Sequence, residues 1–146
     1  MKIEIKKMTS KYAEEISIMG KGAKELQIDS KKQMYYSPDT IKMLFKSKAG
    51  ICLVALVDNK LAGFAIRIYH EYFNELYLSD LFVKKEYRKL GIGKALFQES
   101  AKIARSMGVK WAWALVQDTN KNMQRFLKKN GFKKGKKFNY YYNNQI

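Results

Sequence analysis

Residues 87–97 read YRKLGIGKALF, and in them two of the chain's nine glycines, Gly91 and Gly93, bracket a single isoleucine. Glycine weakens regular structure but permits positive φ and close backbone approach, so such a pair marks a tight passage or a ligand contact. What flanks it decides which. Before the pair, LYLSDLFV (76–83) is rich in strand-forming residues; after it, Ile92, Leu96, Ile103 and Met107 recur at helical spacing, with Gly108 where a C-terminal cap belongs. The stretch therefore joins a strand to an amphipathic helix. The first N–H groups of a helix have no partner within it and carry partial positive charge, which makes this junction a seat for phosphate.

Of the glycine loops that bind phosphate, two fit poorly. The Walker pattern needs glycine where Arg88 stands and Ser or Thr where Ala95 stands. The dinucleotide pattern needs Gly or Ala at Leu96 and a parallel βαβ setting. Upstream, ICLVALV (51–57) and LAGFAIRIY (61–69) are separated by Asp58-Asn59, which predicts an antiparallel hairpin. A third strand is expected over about 75–83, so these strands form a meander.

Working outward, Ile3 and Ile5 alternate with charges as a half-buried strand, and Thr9 or Ser10 caps a helix running to about residue 25. Ser37-Pro38 opens a short helix with Ile41, Leu44 and Phe45 on one face. VKWAWALV (109–116) alternates Val109, Trp111, Trp113 and Leu115 against smaller or charged residues as a strand does, and the two tryptophans are expected in the core. A last helix is expected over about 119–129, stopped by Gly131, and FKKG and FNYYYN are expected to close the fold as paired strands.

The 146 residues, 47% hydrophobic, fit one domain, here taken as 1–146. The longest apolar run, 51–57, is far short of the roughly 20 residues a membrane-spanning helix needs. MKIEIKKM lacks the apolar segment of a secretory signal, and with Cys52 alone no internal disulfide forms, so a cytoplasmic protein is expected. One His and one Cys exclude a structural zinc site. The net charge of +16 is uneven: residues 1–80 carry 13 basic and 10 acidic groups, residues 81–146 carry 16 and 3. The second half is the anion attractor. Nucleic acid is set aside as partner because 25 of the 29 basic groups are Lys, the poorer tool for phosphate forks.

A third glycine pattern, Arg/Gln-x-x-Gly-x-Gly/Ala, matches Arg88-Lys89-Leu90-Gly91-Ile92-Gly93, and here the chain resembles the GNAT N-acetyltransferase superfamily. NKNMQRFLKKNGF (120–132) is similar to that family's second motif, with Asn120, Phe126, Gly131 and Phe132 in register. The resemblance covers roughly residues 51–135. It implies an α+β (mixed α/β) fold, a mostly antiparallel twisted sheet of six to seven strands splayed at a bulge and flanked by about four helices. It also implies acetyl-coenzyme A as cofactor. Main-chain groups of Leu81, Phe82 and Val83 would bond the pantetheine arm, the loop of Arg88, Lys89, Leu90, Gly91, Ile92, Gly93 and Lys94 would hold the diphosphate, and Asn120 and Phe126 would face the arm from its other side.

The implied reaction is acetyl transfer to a primary amine, which near pKa ~10.4 is neutral in only about one molecule per few thousand at pH 7. Asp80, in a strand similar to that of polyamine acetyltransferases, is the candidate base. Glu75 lies on the opposite face by period-two counting, unless a bulge changes the parity. Where the family often has a tyrosine acid, this chain has Leu127; Tyr140, Tyr141 or Tyr142 can substitute, and Tyr141 is taken as the candidate. Asp29, Tyr35 and Tyr36 can hold a cationic acceptor through charge and aromatic faces, with Glu75 beside them. Cys52 is expected buried and His70 at a rim. The expected partner is a small-molecule amine, with no membrane; self-association as a homodimer is left open. An acyl-coenzyme A sensor without turnover is the alternative that Leu127 suggests.

Overall fold

The hairpin organises the sheet. In the computed structural model, which describes residues 1–27, 35–143 and 145, the two apolar runs form β2 (Gly50–Val57) and β3 (Lys60–His70). Asp58 and Asn59 turn between them with φ of 47° and 65°, the left-handed pair a two-residue type I′ turn requires. β1 (Ile3–Lys7) and β4 (Glu75–Val83) extend the sheet antiparallel on either side, and β5 (Trp111–Trp113) adds to β4 in parallel. The order is β1-β2-β3-β4-β5.

Unbroken apolar sequence in β2 and β3 means that both faces of the sheet are covered. On one face, α1 (Ala13–Gly22) and α2 (Pro38–Lys46) bring Ala13, Ile16 and Ile41 onto Cys52, Val54, Leu56, Phe64 and Ile66. The intervening Ile51, Leu53, Ala55 and Ala65 are buried too and point the other way. There α3 (Ile92–Ser106) crosses β2, β3 and β4, burying Ile92, Leu96 and Ala104. Ser37 caps α2 as expected, its hydroxyl accepting from the Thr40 N–H at 3.2 Å with Pro38 in the first turn. Ser37→Ala is therefore expected to destabilise the fold by about 1 kcal/mol, read as a lower urea midpoint with an unchanged slope.

The described residues fall into two compact units, Met1–Leu115 and Val116–Ile146. The second contains α4 (Lys121–Lys129), capped by the Asn120 carboxamide oxygen, which accepts from the Met123 N–H at 3.1 Å. Both α3 and α4 end as the glycines foretold: Gly108 and Gly131 take φ of 80° and 87°, and the residue after each donates back across the last turn, Val109 to Ala104 and Phe132 to Leu127.

Three expectations need correction. The sheet has five strands among the described residues, not six or seven, because residues 133–143 form no closing pair. Phe138 and Tyr141 are 82% and 85% exposed; strand propensity without a face to bury does not make a strand. The strand expected over 109–116 shrinks to three residues, and Trp111, expected in the core, is largely exposed because β5 is the sheet's edge among the described residues; Leu115 is exposed too. The first helix is shorter too, ending at Gly22 before a separate 3-10 turn at Lys24–Leu26.

Candidate functional site

β4 carries the site because its pairing changes halfway. Its contact with β5 ends at Tyr77 opposite Trp113; from Leu78 to Val83 no strand of the described residues covers that edge. On its other side the register with β3 jumps from Ile66↔Asp80 to Ile68↔Tyr77. Leu78 and Ser79 together thus oppose Arg67, which is a β-bulge. The extra residue alters the parity left open in the sequence: counted from the register, Glu75, Tyr77 and Asp80 share the face that carries Ile66 and Ile68. Glu75 stands at the far end of that face, its carboxylate 3.5 Å from the His70 ring nitrogen.

At the other end of β4, a 3-10 turn at Lys85–Tyr87 leads into the glycine loop. Lys89 and Gly91 take left-handed φ of 65° and 79°, and Gly91 is the N-cap of α3 with no side chain capping it. The first intrahelical bond runs from the Ala95 N–H to the Gly91 carbonyl, so the amides of Ile92, Gly93 and Lys94 precede the ladder. No acidic residue occupies the first turn. Open amides, alternate left-handed residues and the absence of a competing carboxylate suit a diphosphate. Arg88 behaves differently from its neighbours: its Nε donates to the Val83 carbonyl at 2.9 Å, its Nη2 pairs with Glu25 at 3.0 Å, and its guanidinium lies 5.7 Å from the Phe82 ring centre. It braces the loop against the end of β4.

Asp80 is 7% exposed. Cys52, Ile66 and Asp80 form one row across β2, β3 and β4. The Ser79 hydroxyl donates to the Asp80 carboxylate at 2.6 Å and lies 3.3 Å from the Tyr36 hydroxyl, a line of hydroxyls leading from a half-buried tyrosine to a buried carboxyl. Tyr36 is held by its own carbonyl, which accepts from the Ser17 hydroxyl of α1 at 2.7 Å. Tyr35 packs against Gly20, where a Cβ would meet the ring at 2.0 Å. Its buried hydroxyl faces the carboxylate without completing a hydrogen bond. Tyr77 stacks on Trp113 with ring centres 4.4 Å apart. Asp29 lies outside the described residues.

Burial pushes the Asp80 carboxyl above its ordinary range, against the pull of the Ser79 and Tyr35 hydroxyls and the Arg67 guanidinium. Burial and the neighbouring carboxylate together push the Tyr35 phenol up and the Cys52 thiol up to about 12. Cys52 is thus held as thiol, not nucleophilic thiolate. A disulfide reagent at pH 8 is expected to label it no faster than the protein unfolds; a full equivalent reacting in the native state would contradict this burial.

In the second unit, Asn120 serves α4 as its cap and Phe126 is half-buried, while Tyr141 stands exposed on the extended tail. Asp80 and the glycine loop were singled out from the sequence; Arg67, Ser79 and Tyr77, which the structure sets around Asp80, were not. The Arg67 signal was present, a lone cation within an apolar strand (LAGFAIRIY), where a charge is retained only if something nearby compensates it.

The model of the Acetyltransferase (GNAT) family matches residues 21–132. No curated protein matches the sequence. Among solved structures, the chain is similar to PaiA N-acetyltransferase from Thermoplasma acidophilum in complex with coenzyme A, with 26% identity, 91% of each chain covered and a TM-score of 0.81. An acetyltransferase of the GNAT family from Staphylococcus aureus Mu50 shares 23% identity over 92% of this chain and 87% of that one, TM-score 0.78. An aminoglycoside acetyltransferase from an uncultured soil metagenomic sample, in complex with sisomicin, shares 18% over 97% and 95%, TM-score 0.76.

Proposed function

The chain belongs to the acetyltransferase (GNAT) family, an acetyl-CoA-dependent N-acetyltransferase, and from this premise we propose that it acetylates a small cationic amine by direct transfer, with Asp80 as general base. The observation that carries the proposal is Asp80 itself, a buried carboxyl on the strand that leads into the glycine loop, at the point where β4 parts from β5. Acetyl-CoA supplies an activated thioester. The uncovered edge of β4 at Leu81, Phe82 and Val83 is the side along which the pantetheine arm lies, and the amides of Lys89 to Lys94 hold the diphosphate. In this reading all 146 residues act as one catalytic domain. The strong positive charge of residues 81–146 draws the anionic cofactor in.

The acceptor arrives as an ammonium ion. The rings of Tyr35, Tyr36 and Tyr77 and the Asp80 carboxylate offer it faces and charge, with Asp29 and Glu75 at the margins of the acceptor site. One proton passes to Asp80, directly or along the Tyr36–Ser79 hydroxyls, which frees the nitrogen lone pair. The C–N bond forms, the C–S bond breaks, and the second nitrogen proton passes through solvent to the released thiolate as the amide is completed. A base raised above the ordinary carboxylate range narrows the gap to an amine near ~10.4, which makes proton removal easier. Leu127 offers no proton to the departing sulfur; a thiol of pKa ~8.5 leaves tolerably as thiolate. A cytoplasmic setting suits the free thiol and the cofactor.

Ser79 supplies a checkable consequence. Its hydrogen bond holds the Asp80 value down, so Ser79→Ala is expected to raise that value. The acid limb of kcat/KM then moves to higher pH, with activity lost first at the acid end. An unmoved limb would detach Ser79 from the base. The function itself is tested by incubating the protein with acetyl-CoA and a panel of polyamines, aminoglycosides, amino acids and a lysine peptide, and weighing the products. An acetylated small amine is expected; acetylation of the peptide alone would overturn the substrate class.

A further inference from the structure

Arg67 is among the most deeply buried side chains of the fold, 1% exposed, and it joins no ion pair among the described residues. Its Nη1 donates to the main-chain carbonyl of Asp80 at 2.6 Å and to that of Ile66 at 3.3 Å. Its Nε is buried without a partner. A guanidinium in this setting is costly, since burial of a charge is tolerated only where something compensates it. Burial drags its own value down to about 10, and the Asp80 charge holds it up. Arg67 therefore remains a cation throughout the neutral range. It also stands at the one position of β3 that faces two residues of β4, so its nitrogen takes up a carbonyl at the bulge.

We propose that Arg67 is a positioning residue for the Asp80 base: it anchors the bulge through the Asp80 carbonyl and, as a fixed buried cation, keeps the adjacent carboxylate ionised. This inference rests on the reading of Asp80 as base. The groups around Asp80 are Ser79 and Tyr77 on β4, Tyr35 and Tyr36 from the segment before α2, Cys52 on β2 and, at its main-chain carbonyl, Arg67 on β3. Only Arg67 among them carries positive charge. Burial pushes the Asp80 carboxyl up, and the Arg67 charge works against that push together with the Ser79 and Tyr35 hydroxyls.

The test separates charge from geometry. Arg67→Gln keeps an N–H donor for the carbonyl and removes the charge; Arg67→Met removes both; Arg67→Lys keeps the charge. The acid limb of kcat/KM is expected to move to higher pH in R67Q and R67M, as loss of a neighbouring opposite charge requires. In R67K it should return close to its native position, although kcat falls because a single ammonium replaces the planar fork. R67Q is the milder neutral change should R67M fail to fold, and coenzyme A affinity reports that each variant has folded. Lower stability and lower rate with an unmoved limb in R67Q, or an equal displacement in R67K, would reduce Arg67 to a structural residue and overturn the inference. Failure of the Asp80 reading looks different: Asp80→Asn would then keep its full rate.

Discussion

Asp80→Asn is expected to lower the acetylation rate by about 10²–10⁴-fold, the span that a positioned general base contributes, while coenzyme A still binds with unchanged affinity. The substitution preserves shape and leaves an oxygen to accept the Ser79 hydroxyl, so what it removes is the capacity to take a proton. Asp80 contributes nothing to the loop amides proposed to hold the cofactor, which lie beyond Val83. In the native protein the rate should fall as the pH drops through the Asp80 value, which burial displaces upward from the ordinary carboxylate range. Below that value the carboxyl is protonated and idle; above it the rate is level. In the variant this limb should vanish, leaving a slow reaction that climbs with pH as free amine becomes available. Steady-state rates across pH 5–9, with calorimetry for the cofactor, check both halves. An Asn variant with native rates would remove Asp80 from the chemistry.

Gly91→Val is expected to weaken coenzyme A binding by roughly 10- to 100-fold, from about 1–3 kcal/mol of backbone strain. Nothing lies within 4 Å of a Cβ at this position, so crowding is not the cause. The cause is a φ of 79° at the N-cap of α3, a conformation costly for a β-branched residue. Unliganded protein can relax the loop into an unstrained shape; binding must then restore the native one, and affinity bears the strain. Gly91→Asn is the control, because asparagine enters the left-handed region at small cost. Its affinity should stay near native. Equal loss in both variants would point to the added side chain instead of the backbone, and no loss in either would move the anion seat elsewhere.

Much of this protein was legible before any coordinates. The type I′ hairpin, the Ser37 cap, the helix ends at Gly108 and Gly131 and the glycine loop each depend on residues within a few positions of one another, where backbone sterics and unpaired helix amides act locally. Asp80 could be singled out as a carboxylate in the strand feeding that loop, but its burial could not be read there. The closing strands failed because tyrosines at 140–142 suggest a strand only when a neighbour offers a face to bury them against, and the sequence does not say whether one does.

Tertiary structure alone decided the rest. One added residue at Leu78–Ser79 turned Glu75 and Asp80 to a common face and placed Arg67 against the Asp80 carbonyl. Tyr35, Tyr36 and Cys52 reach the same carboxylate from segments distant in the chain. Propensities and caps are settled by near neighbours, so they can be read along the chain. Strand register, and the dielectric around a buried charge, belong to groups that meet only once the sheet has formed.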